Sequence, residues 1–169
     1  MKVVVPEVTL RRRVVTPPDP SELTVDRLII ASEGRAIPYA VLQRAFELAR
    51  PRTAEVRVIT IARVFGTSMG FPNPGLLPNQ REWDEQRLIV RQTVLSLKKA
   101  GFEASGNVVG TRKATRRILA EVTAFQADAV VMGCDRDRGR LGDFSWAHEP
   151  YRIARKAHVP VYLVPLDPG

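Results

Sequence analysis

The feature that most constrains this chain is a series of short apolar runs alternating with amphipathic helical patterns. The first run, Leu28-Ile29-Ile30-Ala31, and a later one, Ala129-Val130-Val131-Met132, are apolar without interruption. Continuous runs of this length are typical of parallel strands that are buried on both faces of a sheet. Strands are predicted at 27–32, 55–61, 104–109, 129–132 and 159–164, and helices at 38–49, 82–100, 112–125 and 150–157.

The alternating order predicts an open five-stranded parallel sheet flanked by helices, a Rossmann-like α/β fold with right-handed crossovers. At 169 residues, the chain has the usual size of one domain, which we expect at residues 25–169. Residues 1–24 are predicted to form an extended or partly disordered arm. Pro17, Pro18 and Pro20 exclude a helix or a central strand there.

Two segments in the middle of the chain have contrasting patterns. Residues 62–80 are rich in glycine and proline, so regular structure is not expected in this long connection. The following helix, 82–100, is the longest helical pattern, and it ends at Gly101. Its predicted buried residues are Trp83, Leu88, Val90, Val94, Leu95 and Leu97.

Composition excludes several classes of protein. No stretch approaches the roughly 18 uninterrupted apolar residues that a membrane span needs. The single cysteine, Cys134, has no partner for an internal disulfide, and two histidines do not supply a structural zinc site. We therefore expect a cytoplasmic protein.

The net charge of +8 favours anionic ligands in general. The basic residues are scattered along the chain, so a solvated arginine-rich surface is the favoured interpretation. Arg112, Lys113, Arg116 and Arg117 crowd the start of the third helix, where positive charge opposes the helix dipole. A contact with an anion there is the alternative hypothesis. No motif for specific nucleic-acid binding is present.

The predicted topology also predicts where a ligand binds. In open parallel sheets, ligands lie beyond the carboxyl ends of the strands, where the strand order reverses. This rule brings the turn Ser32-Glu33-Gly34 and the loop from Gly133 to Ser145 to one rim of the sheet.

Taken in order, these segments resemble the universal stress protein family over about residues 25–165. The resemblance rests on Leu28 to Gly34, Val109-Gly110, Ala127 to Gly133, and Ala157 to Pro165. It implies an adenine nucleotide alpha hydrolase-like fold and a cytoplasmic stress-response protein. It also implies a homodimer formed through the last strand.

The resemblance further implies a nucleotide site, with a departure from the family pattern. Nucleotide-binding members have a loop of glycine, two residues, glycine, nine residues, glycine, then serine or threonine. Gly133 matches the first glycine, but Arg136 stands at the second, and Trp146-Ala147 or Ala147-His148 at the final pair. Bare glycine backbone and helix-terminal amides are what phosphates approach, so ATP binding is expected to be impaired.

Two further positions depart from the family. Glu33 stands where the family has aspartate, and Arg35 where it often has serine. Arg136 either pairs with phosphate or closes the site, held by a neighbouring aspartate. The ligand that the resemblance implies is ATP or AMP, with Mg²⁺ in the case of ATP. The predicted nucleotide-binding residues are Ala31, Ser32, Glu33, Ile61, Met132, Gly133, Arg136, Gly139, Ala147 and His148.

Two other functions stay open at this point. One is an interaction module that regulates a partner such as a transporter, through its arm and basic surface. The other is a nucleotide-hydrolysing enzyme of the same superfamily. A non-catalytic role is favoured over the enzyme, because His148, Ser145 and Cys134 have no spacing that marks a catalytic triad.

Overall fold

The sheet and its helices account for nearly all residues that the computed structural model describes: 25–63, 67–68, 71–72, 78, 80–135 and 149–166. The predicted arm, residues 1–24, and the loop 136–148 lie outside them. The strands are β1 (Arg27–Ser32), β2 (Glu55–Arg63), β3 (Thr67–Ser68), β4 (Phe71–Pro72), β5 (Glu103–Thr111), β6 (Ala129–Asp135) and β7 (Val161–Leu166). The helices are α1 (Tyr39–Leu48), α2 (Gln80–Lys99), α3 (Ala114–Phe125) and α4 (Glu149–Lys156).

Five of these strands form the predicted parallel sheet, in the order β5-β2-β1-β6-β7. The central strand β1 pairs in parallel with β2 on one side and β6 on the other, so that Leu28 lies between Val56 and Ala129. β2 and β5 lie on one side of β1, and β6 and β7, which come later in the chain, lie on the other. The strand order therefore reverses between β1 and β6, and the predicted fold class is confirmed.

Each face of the sheet has its own hydrophobic core because successive strand residues point to opposite faces. Leu28 and Ile30 pack on the face covered by α1 and α2. Ile29 and Ala31 pack on the face covered by α3 and α4. Burying a side chain such as Leu28 completely contributes about 2 kcal/mol, which explains why β1 is apolar from Leu28 to Ala31.

The buried face of α2 differs from the prediction. Leu88 is 53% exposed and Leu95 is 49% exposed, so their predicted burial is wrong. The inward-facing residues are Gln86, Val90, Thr93 and Leu97. Their spacing of four, three and four residues forms one helical stripe, which excludes Leu88 and Leu95 although both are apolar.

A glycine in the edge strand explains how closely α2 packs. A Cβ atom at Gly106 would lie only 2.3 Å from Cγ1 of Val90. Any larger residue at this position would push the helix away from β5. The exposed leucines thus face solvent because α2 is fixed by its contact with this strand.

Some element boundaries and the long connection 62–80 also differ from expectation. The last strand lies two residues later than predicted, because Pro160 has no N–H; its carbonyl instead accepts a hydrogen bond from the Val130 N–H at 3.0 Å. The strand predicted at 129–132 continues through Gly133 to Asp135. Within the connection 62–80, two-residue strands pair antiparallel, where no regular structure was expected.

None of the helices that the structure describes combines enough length with enough apolar character to cross a membrane.

Candidate functional site

The carboxyl ends of β1 and β6 lie side by side at one rim of the sheet. Ala31 is the register partner of Met132, and the two strands end at Ser32 and Asp135. From here the chain enters α1 on one face and α4 on the other. The point at which the two connections separate is where open parallel sheets bind ligands.

The turn after β1 is held by a compact set of hydrogen bonds. The Ser32 hydroxyl donates to the Arg35 carbonyl at 2.6 Å and accepts from the Arg35 N–H at 3.0 Å. Gly34 has a φ of 108°, which only glycine adopts without strain. The Gln86 amide of α2 donates to the Gly34 carbonyl at 2.9 Å. The turn is therefore fixed both by its own residues and by the neighbouring helix.

Three charged side chains, Glu33, Arg35 and Asp135, form what we call the rim cluster. The Arg35 Nε donates to Glu33 Oε1 at 2.7 Å, and another guanidinium nitrogen of Arg35 donates to Asp135 Oδ1 at 2.8 Å. Asp135 is linked to α4, because the Tyr151 hydroxyl donates to its carbonyl oxygen at 3.0 Å. Arg35 thus connects the end of β1 to the end of β6.

The electrostatics of the rim cluster keep Arg35 charged. Burial alone would lower the pKa of the guanidinium, but the nearby charges of Glu33 and Asp135 outweigh it, and the pKa is raised above its usual value. The Glu33 side chain is only 2% exposed. Glu33 is therefore not a solvated turn residue, and a carboxylate buried in this way needs the charge that Arg35 supplies.

Arg35 leaves almost no open space at this rim. The cavity beside Ser32, Glu33 and Gly133 has a volume of about 10 Å³, at the lower limit for one water molecule. Gly133 is closely covered, since a Cβ atom there would lie 2.9 Å from Cδ1 of Leu166. In this arrangement, the space between the described strand ends does not admit a nucleotide base.

The predicted site residues fall into three groups. Ser32, Glu33 and Gly133 lie together at the rim. The side chains of Ala31, Ile61 and Met132 are buried in the core beneath α3 and α4. The remaining predicted residues, Arg136, Gly139, Ala147 and His148, lie outside the described part of the chain, as does Trp146.

Sequence reasoning missed the two residues that complete the rim cluster. Arg35 was noted only as a departure from a serine, and Asp135 only as a partner for Arg136. A signal was present, because Arg35 follows the buried strand by three residues and Glu33 by one. An acidic and a basic residue on the same short turn lie close enough to pair with each other and with groups at the adjacent strand end.

Metal binding and thiol chemistry are the two other chemistries that bear on this region. Within the ranges that the structure describes, no three histidine, cysteine, aspartate or glutamate side chains come together as metal ligands. Cys134 lies inside β6 and is 3% exposed. A buried thiol of this kind packs as a small apolar group.

Comparison with known proteins gives a family match. The model of the universal stress protein family matches residues 24–165. No curated protein matches the chain.

Solved structures share the fold at low sequence identity. A universal stress protein from Archaeoglobus fulgidus is 22% identical with a TM-score of 0.60, over 81% of this chain and 96% of that one. A member from Burkholderia pseudomallei is 19% identical with a TM-score of 0.60, over 83% and 96%. The Archaeoglobus fulgidus protein in complex with dAMP is 19% identical with a TM-score of 0.59, over 81% and 95%.

Proposed function

Because the chain belongs to the universal stress protein family, we propose that this stress-response protein is a non-catalytic regulator that binds an adenine mononucleotide at the rim cluster. The proposal rests on one observation: Glu33, Arg35 and Asp135 meet at the point where the strand order reverses. The two carboxylates offer acceptors for the hydrogen-bond donors of a nucleoside, and the guanidinium occupies them when no ligand is bound.

In this proposal, Arg35 controls access to the site. Its guanidinium bonds both carboxylates, and the adjoining cavity of about 10 Å³ is too small for a ligand. A nucleotide has to displace Arg35, and breaking its bonds lowers the observed affinity. Once Arg35 is displaced, the carboxylates of Glu33 and Asp135 are free to accept hydrogen bonds from the hydroxyl and amino groups of the ligand.

A monophosphate is proposed in preference to ATP for two reasons. The sequence has arginine at 136 and no glycine-serine or glycine-threonine pair at 146–148, so it lacks the glycines that let a longer phosphate chain approach the backbone and the hydroxyl that follows them. The Archaeoglobus fulgidus relative was solved with dAMP. A requirement for Mg²⁺, predicted for ATP, stays a prediction.

The test is calorimetry of the full chain with AMP, dAMP, cyclic AMP and ATP. The key variant is Arg35→Ser, which removes the guanidinium and restores the residue that the family often has. We expect Arg35→Ser to bind AMP at least about tenfold more tightly, since 1.4 kcal/mol corresponds to a factor of ten. The matched control is Arg44→Ser, because Arg44 makes an exposed ion pair with Glu47 on α1.

Each outcome decides one part of the proposal. If neither the wild type nor Arg35→Ser binds any of the four nucleotides, the nucleotide function is wrong. Equal AMP affinity in all three proteins would retain binding at the strand ends but reject control by Arg35. A larger gain in affinity for ATP than for AMP on Arg35→Ser would contradict the preference for a monophosphate at the rim.

Assembly through the last strand is a separate part of the proposal. β7 lies at the edge of the sheet and pairs with β6 on one side. Its residues Val161 to Val164 are half-buried, which suits a strand that is covered by a second copy. Size-exclusion chromatography with light scattering tests this, and a monomer at micromolar concentration would contradict it. The cytoplasmic location and the partner-binding arm stay predictions.

A further inference from the structure

A groove between α3 and α4 has a very different character from the rim cluster. Its volume is about 540 Å³, and it shares no lining residue with the cavity at the rim. We call it the basic groove, after the six cationic side chains that line it: Arg112, Lys113, Arg116, Arg152, Arg155 and Lys156.

The positive charge of the basic groove is largely uncompensated. Among the described residues that line it, Glu149 is the one carboxylate. The Thr115 hydroxyl donates a hydrogen bond to Glu149, and Arg152 approaches it at 3.8 Å. Within the described ranges, no carboxylate lies within ion-pairing distance of the other five cations. The described lining of the groove therefore carries six positive charges and one negative charge.

The start of α3 adds to this positive potential. The residue that precedes the helix is Lys113, which makes no capping hydrogen bond through its side chain, and the first turn holds no acidic residue. By contrast, α2 has Glu82 and α4 has Glu149 in their first turns. The first-turn amides and the positive end of the helix dipole thus lie beside Lys113 and Arg116. Placing cations there costs stability unless an anion offsets them.

We propose that the basic groove binds a compact small molecule carrying several linked phosphates. The volume lies within the roughly 300–1,000 Å³ of small-molecule sites, and a concave surface suits a compact ligand better than a rigid duplex. Arg112, Arg116 and Arg155 present planar guanidinium groups, which bond phosphate oxygens in pairs. A chain of phosphates places its charges at a spacing that several of these groups can share.

The proposal does not depend on nucleotide binding at the rim. The phosphate chain has two sources, an inorganic polyphosphate or the tail of a nucleotide, and both present the same chemistry to the groove. Inorganic tripolyphosphate is the probe for the first source, and ATP is the probe for the second.

The experiment measures tripolyphosphate binding to the full chain by calorimetry at low salt. The test variant is the double substitution Arg116→Gln with Arg155→Gln, which removes one cation from each wall of the groove. The control is Arg50→Gln with Arg81→Gln, which removes the same charge from exposed positions outside it. We expect the test variant to lose at least about tenfold in affinity and the control to lose less than about twofold, because nearby charges act far more strongly than distant ones.

The results separate this proposal from its alternatives. An equal loss in the test and control variants would show a general effect of net charge and would overturn it. So would a lack of tripolyphosphate binding, or a short DNA duplex that displaces tripolyphosphate at lower concentration. An ATP affinity that falls with the test variant but not with Arg35→Ser would support it and identify a nucleotide tail as the phosphate source. AMP binding to Arg35→Ser is measured in parallel, so failure at one site is distinguished from failure at the other.

Discussion

The rim cluster and the basic groove handle positive charge in opposite ways. At the rim, Arg35 is bonded to two carboxylates, and almost no space is left around it. In the groove, six cations share one carboxylate around an open volume of about 540 Å³. A compensated charge ties two strands together, whereas an uncompensated one is arranged for a ligand. The number of arginines therefore indicates less about function than the positions of the carboxylates that pair with them.

Burial makes the difference one of energy as well as geometry. Glu33 is 2% exposed, so removing the Arg35 guanidinium takes away a positive charge where water reaches poorly. The groove cations are exposed and are screened by solvent and salt. The rim cluster should thus dominate stability, and the groove should dominate the response to anions.

The largest expected effect is the loss of the rim arginine. Arg35→Ala should lower the free energy of unfolding by about 2–3 kcal/mol, because it leaves Glu33 buried without the guanidinium. Arg155→Ala in the groove should change it by less than about 0.5 kcal/mol. Urea denaturation of both variants measures the two changes, and an equal loss of unfolding free energy in the two would contradict the proposed difference between the rim cluster and the basic groove.

The effect of pH on the stability of Arg35→Ala follows from the raised pKa of Arg35. The pKa of Arg35 is raised in the folded state, so its contribution is complete below the unfolded value and is lost only as pH rises through the folded one. Both values lie far above neutral. The stability difference between wild type and Arg35→Ala should therefore be the same at pH 7 and pH 9, and a decline over that range would contradict the assignment.

A smaller effect is expected for the pairwise couplings. A double-mutant cycle on Arg35 and Glu33 should give a coupling free energy of about 1–3 kcal/mol, because the pair is close and largely buried. The same cycle on Arg152 and Glu149 should give about 0.5 kcal/mol or less, because the two groups are 3.8 Å apart and the arginine is exposed to solvent. A stronger coupling in the groove would reverse the comparison.

The smallest effect concerns the start of α3. Arg116→Glu should stabilise the protein by about 0.5 kcal/mol, because it places a negative charge at the positive end of the helix dipole and reduces repulsion in the groove. Arg155→Glu reduces the same repulsion but puts the negative charge in the last turn of α4. It should therefore be neutral or destabilising. Thermal unfolding of the two variants compares them directly, and equal shifts would exclude the dipole as the cause.

The sequence predicted the sheet well because the sheet depends on apolar periodicity. The uninterrupted run around Ile29 and Ile30 has one good solution, a strand covered on both faces. The order of elements then determined the rim at which Ser32 and Gly133 meet. These predictions required no knowledge of individual side-chain contacts.

The prediction failed where the packing of one particular surface decides the outcome. Leu88 and Leu95 are apolar but exposed, since Gly106 lets Val90 approach the edge strand and so sets the rotation of α2. Similarly, the bond from Arg35 to Asp135 joins residues that are distant in the sequence. Closure by Arg136, one of the two roles left open for that residue, lies outside the described part of the chain, whereas Arg35 reaches the site from the end of the central strand.

The position of β1 at the centre of the sheet has a consequence for synthesis of the chain. As translation proceeds, β1 can pair with β2 early, but its other edge has to wait for β6, which emerges after most of the chain has been made. Until then, an apolar strand presents unpaired amides and carbonyls on one side, the condition that favours pairing with another chain. Nascent chains on neighbouring ribosomes are thus most at risk of association before Ala129 appears, and that interval is when a chaperone would be most useful.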